Sequence, residues 1–572
     1  MIPLLRLPLP LLLTCMLLSA CGGGGGGGSD DSPNTAPQLD VGNWQQTVNQ
    51  SSPYRVQLTA TDAERHALSF SADNLPSWLT LNAATGVVSG TPQQQHIGNY
   101  SNIVFSVSDS RGATTSSAPL QLTVVDIDAP PQISLSLPAT IDGRSELTVN
   151  VTVSDPDGGE ASWQLGDVHE LIAEQQGNQL LLTTGNPTEV AAGSIEILAS
   201  DDSGQQTTAT FRTRVLPVSA DGSGITLMGG SDNPGVHLVF LGDGYRQPEL
   251  AKFRADVAAA ISHFTADPGF TPHQQRWNIH LLLTPSQESG ADSSVDRDSV
   301  DTVFDAGYNC FGIQRLLCVD DNKAFTAALA AFPRTQHVAV AVNDSRFGGS
   351  GGALTVFSAP NPEIVIHELG HSFAGLADEY VDASIADQYL PGYREGNYAN
   401  VSNLNDPNRV PWSHWIEDKN DYPRSGASTA VGIFEGAYYN ANGFYRPLWQ
   451  SMMNENGVPM GVVNAEQWAL SMYDSAGALQ TVEPNAPRLT VANGEFAEFS
   501  IQPLFNDGTQ VWDWYVDDER VDEAHNMNQL RLGLAAGEYQ IRVLVSDNSG
   551  LIRKSPPHAG YVERNWTLEV TP

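Results

Sequence analysis

Asn361-Pro362-Glu363-Ile364-Val365-Ile366-His367-Glu368-Leu369-Gly370-His371-Ser372-Phe373-Ala374-Gly375 reads as one short helix. Asn361 is a favoured N-cap residue, Pro362 suits the first helical position, and Glu363 places an acid in the first turn. Gly375 is a natural C-terminal stop. His367 and His371 stand four residues apart, so both imidazoles leave the same helix face, about 6 Å apart at the backbone. Two nitrogen ligands at that spacing suit a tetrahedral zinc ion, Zn2+. Glu368 follows the first histidine and can reach a water on the metal without binding the metal itself, which is where a general base stands. The plainer alternative is a solvated helix with two exposed histidines. Ile364-Val365-Ile366 argues against it, because an apolar turn implies burial and buried imidazoles and carboxylates need partners.

The sequence on either side of this helix alternates between strand and helix signals. Val236-His237-Leu238-Val239-Phe240-Leu241 is a buried-strand run stopped by Gly242-Asp243-Gly244. Phe253, Val257, Ile261 and Phe264 then recur at helical spacing, followed by a strand over 279–283, a helix over 323–332 and a strand over 337–342. This pattern predicts a separate α/β domain over residues 223–480.

The remainder of the chain reads differently. Val107-Ser108-Asp109-Ser110-Arg111-Gly112, Ala199-Ser200-Asp201-Asp202-Ser203-Gly204 and Val545-Ser546-Asp547-Asn548-Ser549-Gly550 repeat one pattern. Each ends an alternating apolar run and reads as a half-buried strand entering a hairpin turn. The first two copies lie about 90 residues apart, near the ~100 residues of an immunoglobulin-like sandwich. β-Sandwiches are therefore expected at 36–127, 129–218 and 485–572. The first resembles the cadherin-like, immunoglobulin-type modules of bacterial surface proteins, through Leu75-Pro76-Ser77-Trp78-Leu79-Thr80-Leu81 and Thr85-Gly86-Val87-Val88-Ser89-Gly90-Thr91-Pro92. That resemblance implies a carbohydrate or surface ligand, Ca2+, or a spacer role. Asp155-Pro156-Asp157-Gly158-Gly159 has the composition of a calcium loop, although an acidic turn satisfying its own backbone explains it as well.

At 572 residues the chain calls for several domains, and its 41% apolar composition is that of a globular protein. A net charge of −37 repels phosphate backbones and anionic headgroups, which argues against nucleic acid and electrostatic membrane binding. Arg6 followed by the apolar run through Leu17-Leu18 reads as an export leader, too short to span a bilayer. Leu18-Ser19-Ala20-Cys21 resembles a bacterial lipoprotein cleavage box, which implies a leader over 1–21, lipidation of Cys21 and membrane attachment by lipid alone. Residues 22–35, opening with seven glycines, form a flexible tether. The expected location is the outer membrane or the cell surface. Of the four cysteines, Cys310 and Cys318 then remain as a disulfide pair in an oxidising compartment.

A catalytic zinc ion takes a third protein ligand and keeps one position open. After the helix the chain resembles the metzincin arrangement, in which a glycine turns the chain and a ligand lies three residues on. From Gly375 that residue is Asp378, with Glu379 as the alternative and a remote Glu after that. The glycine comes one residue later than is usual in metzincins, and the ligand is an acid where histidine is commoner. Ser451-Met452-Met453 resembles the Met-turn beneath the metal, with Met453 as its methionine and Met452 as the alternative. Glu455 stands where a transition-state tyrosine is often found, leaving Tyr380 and Tyr445 as candidates. The fuller resemblance is to the bacterial IgA-peptidase-type metallopeptidases. It rests on Phe240-Leu241-Gly242-Asp243-Gly244-Tyr245, Glu288-Ser289-Gly290-Ala291-Asp292, Asn343 with Phe347-Gly348-Gly349-Ser350-Gly351, and His367 onward to Leu376-Ala377-Asp378-Glu379-Tyr380. It implies zinc-dependent cleavage of peptide bonds in a protein or glycoprotein substrate. It does not imply immunoglobulin as that substrate. The glycine-rich segment from Gly348 to Val356 is either a tight turn or an edge strand that pairs with an extended substrate. The rival readings are a surface adhesin whose peptidase-like domain only binds, and a zinc hydrolase acting on glycan-linked peptide.

Overall fold

The computed structural model describes residues 33–572 other than 127, 128, 157, 297 and 298. The leader, Cys21, most of the glycine tether and Asp157 lie outside the described residues. The chain is multidomain, an α/β domain together with β-sandwich modules. It divides into two compact units. Of the described residues, one comprises those up to 132 with those of 153–162 and 199–207, and the other comprises those of 133–152, 163–198 and 208–572.

The three sandwich modules share one topology. In each, an early strand pairs in parallel with the last: 47–49 with 123–125, 140–142 with 214–216, and 488–492 with 567–571. The first buries Trp78, Phe105 and Tyr54 among Val and Leu side chains. The repeated aspartate does the same local work in each copy. Asp109 Oδ1 accepts from the Arg111 and Ala113 N–H groups, Asp201 Oδ1 from Gln205 and Asp547 Oδ1 from Ser549. The first two copies enter hairpins, as expected, but the third opens into residues 548–560 before the final strand Tyr561–Thr571. The strand Leu479–Glu483, ahead of residue 485, already pairs within the C-terminal sandwich.

The α/β domain is built on a six-stranded sheet. Its strands are β1 (Gly224–Met228), β2 (Val236–Asp243), β3 (Trp277–Leu282), β4 (His337–Val342), β5 (Gly349–Gly351) and β6 (Thr355–Ser358), in the order β1-β3-β2-β4-β6-β5. The inner four run parallel and the two edge strands antiparallel. Both faces are covered, which explains the unbroken apolar run of β2. Val236, Leu238 and Phe240 face one core, and Val239 and Leu241 face the other, as a period of two requires. The first core takes α1 (Leu250–Thr265), α3 (Ile364–Ser372) and α4 (Val462–Ala476), and the second takes α2 (Asp321–Ala331). β2 runs through Gly242-Asp243 and does not stop at them. The Asp243 carboxylate stays in the sheet because it accepts from Thr302 Oγ1 and the Phe304 and Ala306 N–H groups.

The C-terminal sandwich grips α4. Asp547 Oδ2 accepts from His273 Nε2 at 2.9 Å and from the Tyr473 hydroxyl at 2.8 Å. Glu466 Oε1 accepts the Arg553 and Lys554 N–H groups. Arg276, fully buried, lies over the rings of Tyr473 and Phe505.

Candidate active site

Helix α3 starts at Ile364, two residues later than the sequence predicts. Asn361 does not cap it, because its side chain turns back to donate to Ser358 Oγ at the end of β6. The Ile364 and Val365 N–H groups instead reach the Asn361 and Pro362 carbonyls in a tight first turn. The helix ends at Ser372, short of the predicted Ala374. Gly375 has a φ of 63°, and its N–H returns to the His371 carbonyl while the Leu376 N–H returns to that of Gly370. This left-handed glycine reverses the chain and sends Asp378 back toward the helix.

His367 Nδ1 lies 2.8 Å from the Met452 carbonyl, and His371 Nδ1 lies 2.8 Å from that of Leu376. A carbonyl only accepts, so both Nδ1 atoms carry the proton and both Nε2 atoms turn their lone pairs inward. Asp378 Oδ1 faces them at 3.0 Å from His367 Nε2 and 3.3 Å from His371 Nε2. Two nitrogen lone pairs and a carboxylate oxygen converging in a buried place demand a positive charge between them. Without a cation, protons supply it: burial opposes a charged His371, yet the Asp378 carboxylate holds it up to about 9, and His367 is raised for the same reason. Burial would raise Asp378, but the histidines pull it well below the usual carboxylate range. The donor set fits a tetrahedral divalent cation with one position open.

The Glu368 carboxylate lies within 4.8 Å of both histidine nitrogens. Burial raises its pKa, and the two histidines pull the other way. Strand β5 passes directly over it. A Cβ at Gly349 would sit 2.6 Å from Glu368 Oε1, and one at Gly351 would sit 2.5 Å from His371 Cβ. These glycines therefore allow a close approach, and β5 is an edge strand rather than a tight turn. The outer side of β5 is met at Gly349 by Leu316.

Asp378 and Glu379 point in opposite directions. Glu379 lies beneath the helix, where its carboxylate accepts from Ser451 Oγ at 2.8 Å, Asn400 Nδ2 at 2.9 Å and Asn464 Nδ2 at 3.1 Å. Its oxygens are occupied there, so Glu379 is not available to the histidines. Met452 and Met453 are buried against Gly370 of α3, where a Cβ would meet Met453 Sδ at 2.7 Å. Cys310 and Cys318 are joined by a disulfide.

A cleft of about 850 Å³ holds the histidines, Glu368, Asp378 and Tyr380. Tyr445 packs elsewhere, against Val410 and Trp412, which removes it from the cleft. Two residues that the sequence reading did not single out line the cleft. Tyr439 donates to Asp378 Oδ2, and Arg315 reaches Tyr380 from the disulfide loop. Tyr438 and Tyr439 have φ of 48° and 66°, a tandem left-handed pair of bulky residues of the kind that clusters at functional sites. The only sequence signal for Tyr439 is the Tyr-Tyr-Asn triplet, and for Arg315 its place between two cysteines.

Residues 226–425 match the family model described as IgA Peptidase M64. The resemblance read from the sequence is borne out. The M64 match supports a peptidase hydrolase and spans Arg315, α3 and Asp378 but not Tyr439 or Met453. Residues 37–125 match the model described as Putative Ig domain. A 186-residue stretch is 27% identical to a serine-rich adhesin for platelets of Staphylococcus aureus (strain N315), covering 32% of this chain and 8% of that protein. The chain thus spans a small part of the curated relatives it matches. Among solved structures, an endo-fucoidan hydrolase of glycoside hydrolase family 107 is 18% identical over 33% of this chain and 30% of its own, with a TM-score of 0.18. The extracellular domains of protocadherin gamma B2 are 15% identical over 36% and 42%, with a TM-score of 0.19. Neither score is high enough to carry an argument.

Proposed function

We propose that the M64 domain is a zinc-dependent endopeptidase in which His367, His371 and Asp378 bind the metal and Glu368 is the general base. The observation that carries this is the convergence of both Nε2 atoms on Asp378 Oδ1 beside a buried Glu368. Zn2+ held there would supply Lewis acidity to the scissile carbonyl and the attacking water. Glu368 takes the proton of that water and hands it to the leaving amine. Its burial raises the carboxylate's basicity for the first transfer. Met453 forms the apolar floor of a Met-turn. Beyond the Leu316 bridge at Gly349, the outward backbone of β5 at Gly351 offers hydrogen bonds to an extended substrate. Export, attachment through a lipid on Cys21, a disulfide role for Cys310 and Cys318, and module limits of 36–127, 129–218, 223–480 and 485–572 belong to the same reading, with the strand Leu479–Glu483 moved to the last module. Among the described residues no helix is long and apolar enough to cross a membrane.

The test is Glu368→Gln, which should keep stoichiometric zinc and lose casein-type hydrolysis by more than about 100-fold. Retained hydrolysis removes Glu368 from this role. Absence of zinc from the folded wild-type protein favours the adhesin reading.

A second reading concerns the first module. Asn34 Oδ1, Asp62 Oδ2 and Glu64 Oε2 are buried without hydrogen-bond partners, and Asp62 and Glu64 group with His66. Asp109 Oδ2 stands 3.9 Å from the same imidazole. Uncompensated oxygens of this kind suit Ca2+. Added Ca2+ should raise the first unfolding transition of the whole protein, and Asp62→Asn should abolish the shift. An unshifted wild-type transition rules the reading out.

A further inference from the structure

The proposed zinc site has a general base but no assigned donor for the oxygen that gains charge as the carbonyl is attacked. Glu455, in the place where a tyrosine would be expected, is exposed and accepts from Gln450 Nε2. We infer that Tyr380 is this donor, a catalytic residue, and that Arg315 is the positioning residue that holds and polarises it. The inference rests on the zinc-peptidase reading above.

Tyr380 follows Asp378 by two residues, and its ring lies alongside that of His367, with centroids 6.4 Å apart and planes at 28°. The phenol therefore stands beside the metal ligands, at the cleft. Arg315 Nη2 donates to the Tyr380 hydroxyl oxygen at 2.6 Å, and the guanidinium lies 5.1 Å from the ring centroid. Arginine has donors only, so the phenol oxygen must accept and its own proton is left for another acceptor. Tyr439 differs in this respect, since its proton is committed to Asp378 Oδ2. A cation donating to the phenol oxygen makes the O–H a stronger donor, and such donors matter most where charge develops.

The fold holds Arg315 in place. It lies within the loop closed by Cys310 and Cys318, and that loop is tied to the edge strand by the Leu316–Gly349 bridge and by Ser350 Oγ donating to the Leu317 carbonyl at 2.6 Å. Asp382 Oδ2 flanks the guanidinium at 3.8 Å. Arg315 is the one arginine or lysine among the described residues lining the cleft.

The experiment measures kcat and KM on a cleaved peptide, zinc content and thermal unfolding for the full chain and for Tyr380→Phe, Arg315→Ala, Arg315→Lys and the Tyr380→Phe/Arg315→Ala double variant. Tyr380→Phe should lower kcat by about 100-fold or more with KM within about 3-fold, at unchanged zinc content. Arg315→Ala should lower kcat about 10-fold, and the double variant should be no worse than Tyr380→Phe alone, because one residue acts through the other. Low concentrations of guanidinium ion should restore part of the activity of Arg315→Ala and none of that of Tyr380→Phe. If Arg315→Ala does not fold, Arg315→Lys carries the same comparison. A Tyr380→Phe enzyme within about 3-fold of wild type overturns the inference, as does an additive double variant or a change confined to KM. A wild-type protein that binds zinc but cleaves nothing, or a fully active Glu368→Gln, defeats the underlying reading and this inference with it.

Discussion

The cleft and the floor of the site receive adjacent carboxylates and treat them oppositely. Asp378, on the cleft side, faces two imidazoles and is held strongly ionised. Glu379, on the floor, faces two amides and a hydroxyl, and burial raises its pKa. Both are buried. Burial alone therefore does not decide what a carboxylate does. The chemistry of its partners does: titratable nitrogens with inward lone pairs suit a cation, and neutral donors make a structural clasp.

The histidines repeat this contrast between the cleft and the sheet. His371, facing a carboxylate, is held up to about 9. His280, in β3 with only Thr226 and His237 at its ring nitrogens, is pushed down to about 3, first by burial and then by His237.

Three variants test these two contrasts. The largest effect belongs to Asp378→Ala, expected to weaken zinc binding by more than the ~100-fold typical of losing an outer partner. Equilibrium metal competition measures it, and hydrolysis should fall to background. Glu379→Ala strands three buried donors and should cost about 3 kcal/mol in denaturant unfolding while zinc per folded chain stays unchanged. If instead Glu379→Ala empties the folded protein of zinc while Asp378→Ala keeps it, the division into cleft and floor is wrong.

The smallest effect at neutral pH, where it vanishes, is a pH slope. Folded His280 stays neutral to about 3, whereas the unfolded chain takes up its proton below the usual 6.5. The fold then binds fewer protons, so stability is unaffected above 6.5 and declines as pH falls toward 3. The contribution approaches about 1.4 kcal/mol per pH unit. His280→Gln should flatten the decline of the denaturant midpoint in that window, and an unchanged slope would remove His280 as its source.

Much of the site was legible before the fold was known. His367, Glu368 and His371 lie within one helical turn, so spacing alone places them on one face. Gly375 and Asp378 follow within a few residues, where a glycine turn limits the routes the chain can take. The choice between Asp378 and Glu379 was not legible, because both spacings are compatible with the turn. In the structure Asp378 faces the histidines, and Asn400, Ser451 and Asn464 arrive from distant segments to occupy Glu379. Tyr445 lies outside the cleft and Tyr439 inside it for the same reason: tyrosines of one hairpin go to different cores, and only the packed hairpin shows which one turns to Asp378.

The sequence by itself determined the β-modules with their repeated turn, the α/β middle, and the histidine-glutamate helix, because periodicity and local spacing act over a few residues and are written in consecutive letters. Only the tertiary structure decided which acid faces the histidines, which residues accept their Nδ1 protons, and that Arg315 meets Tyr380 across 65 residues of chain. Such contacts depend on which segments share a core and which buried donors need an acceptor. Those are properties of the packed chain and have no local signature.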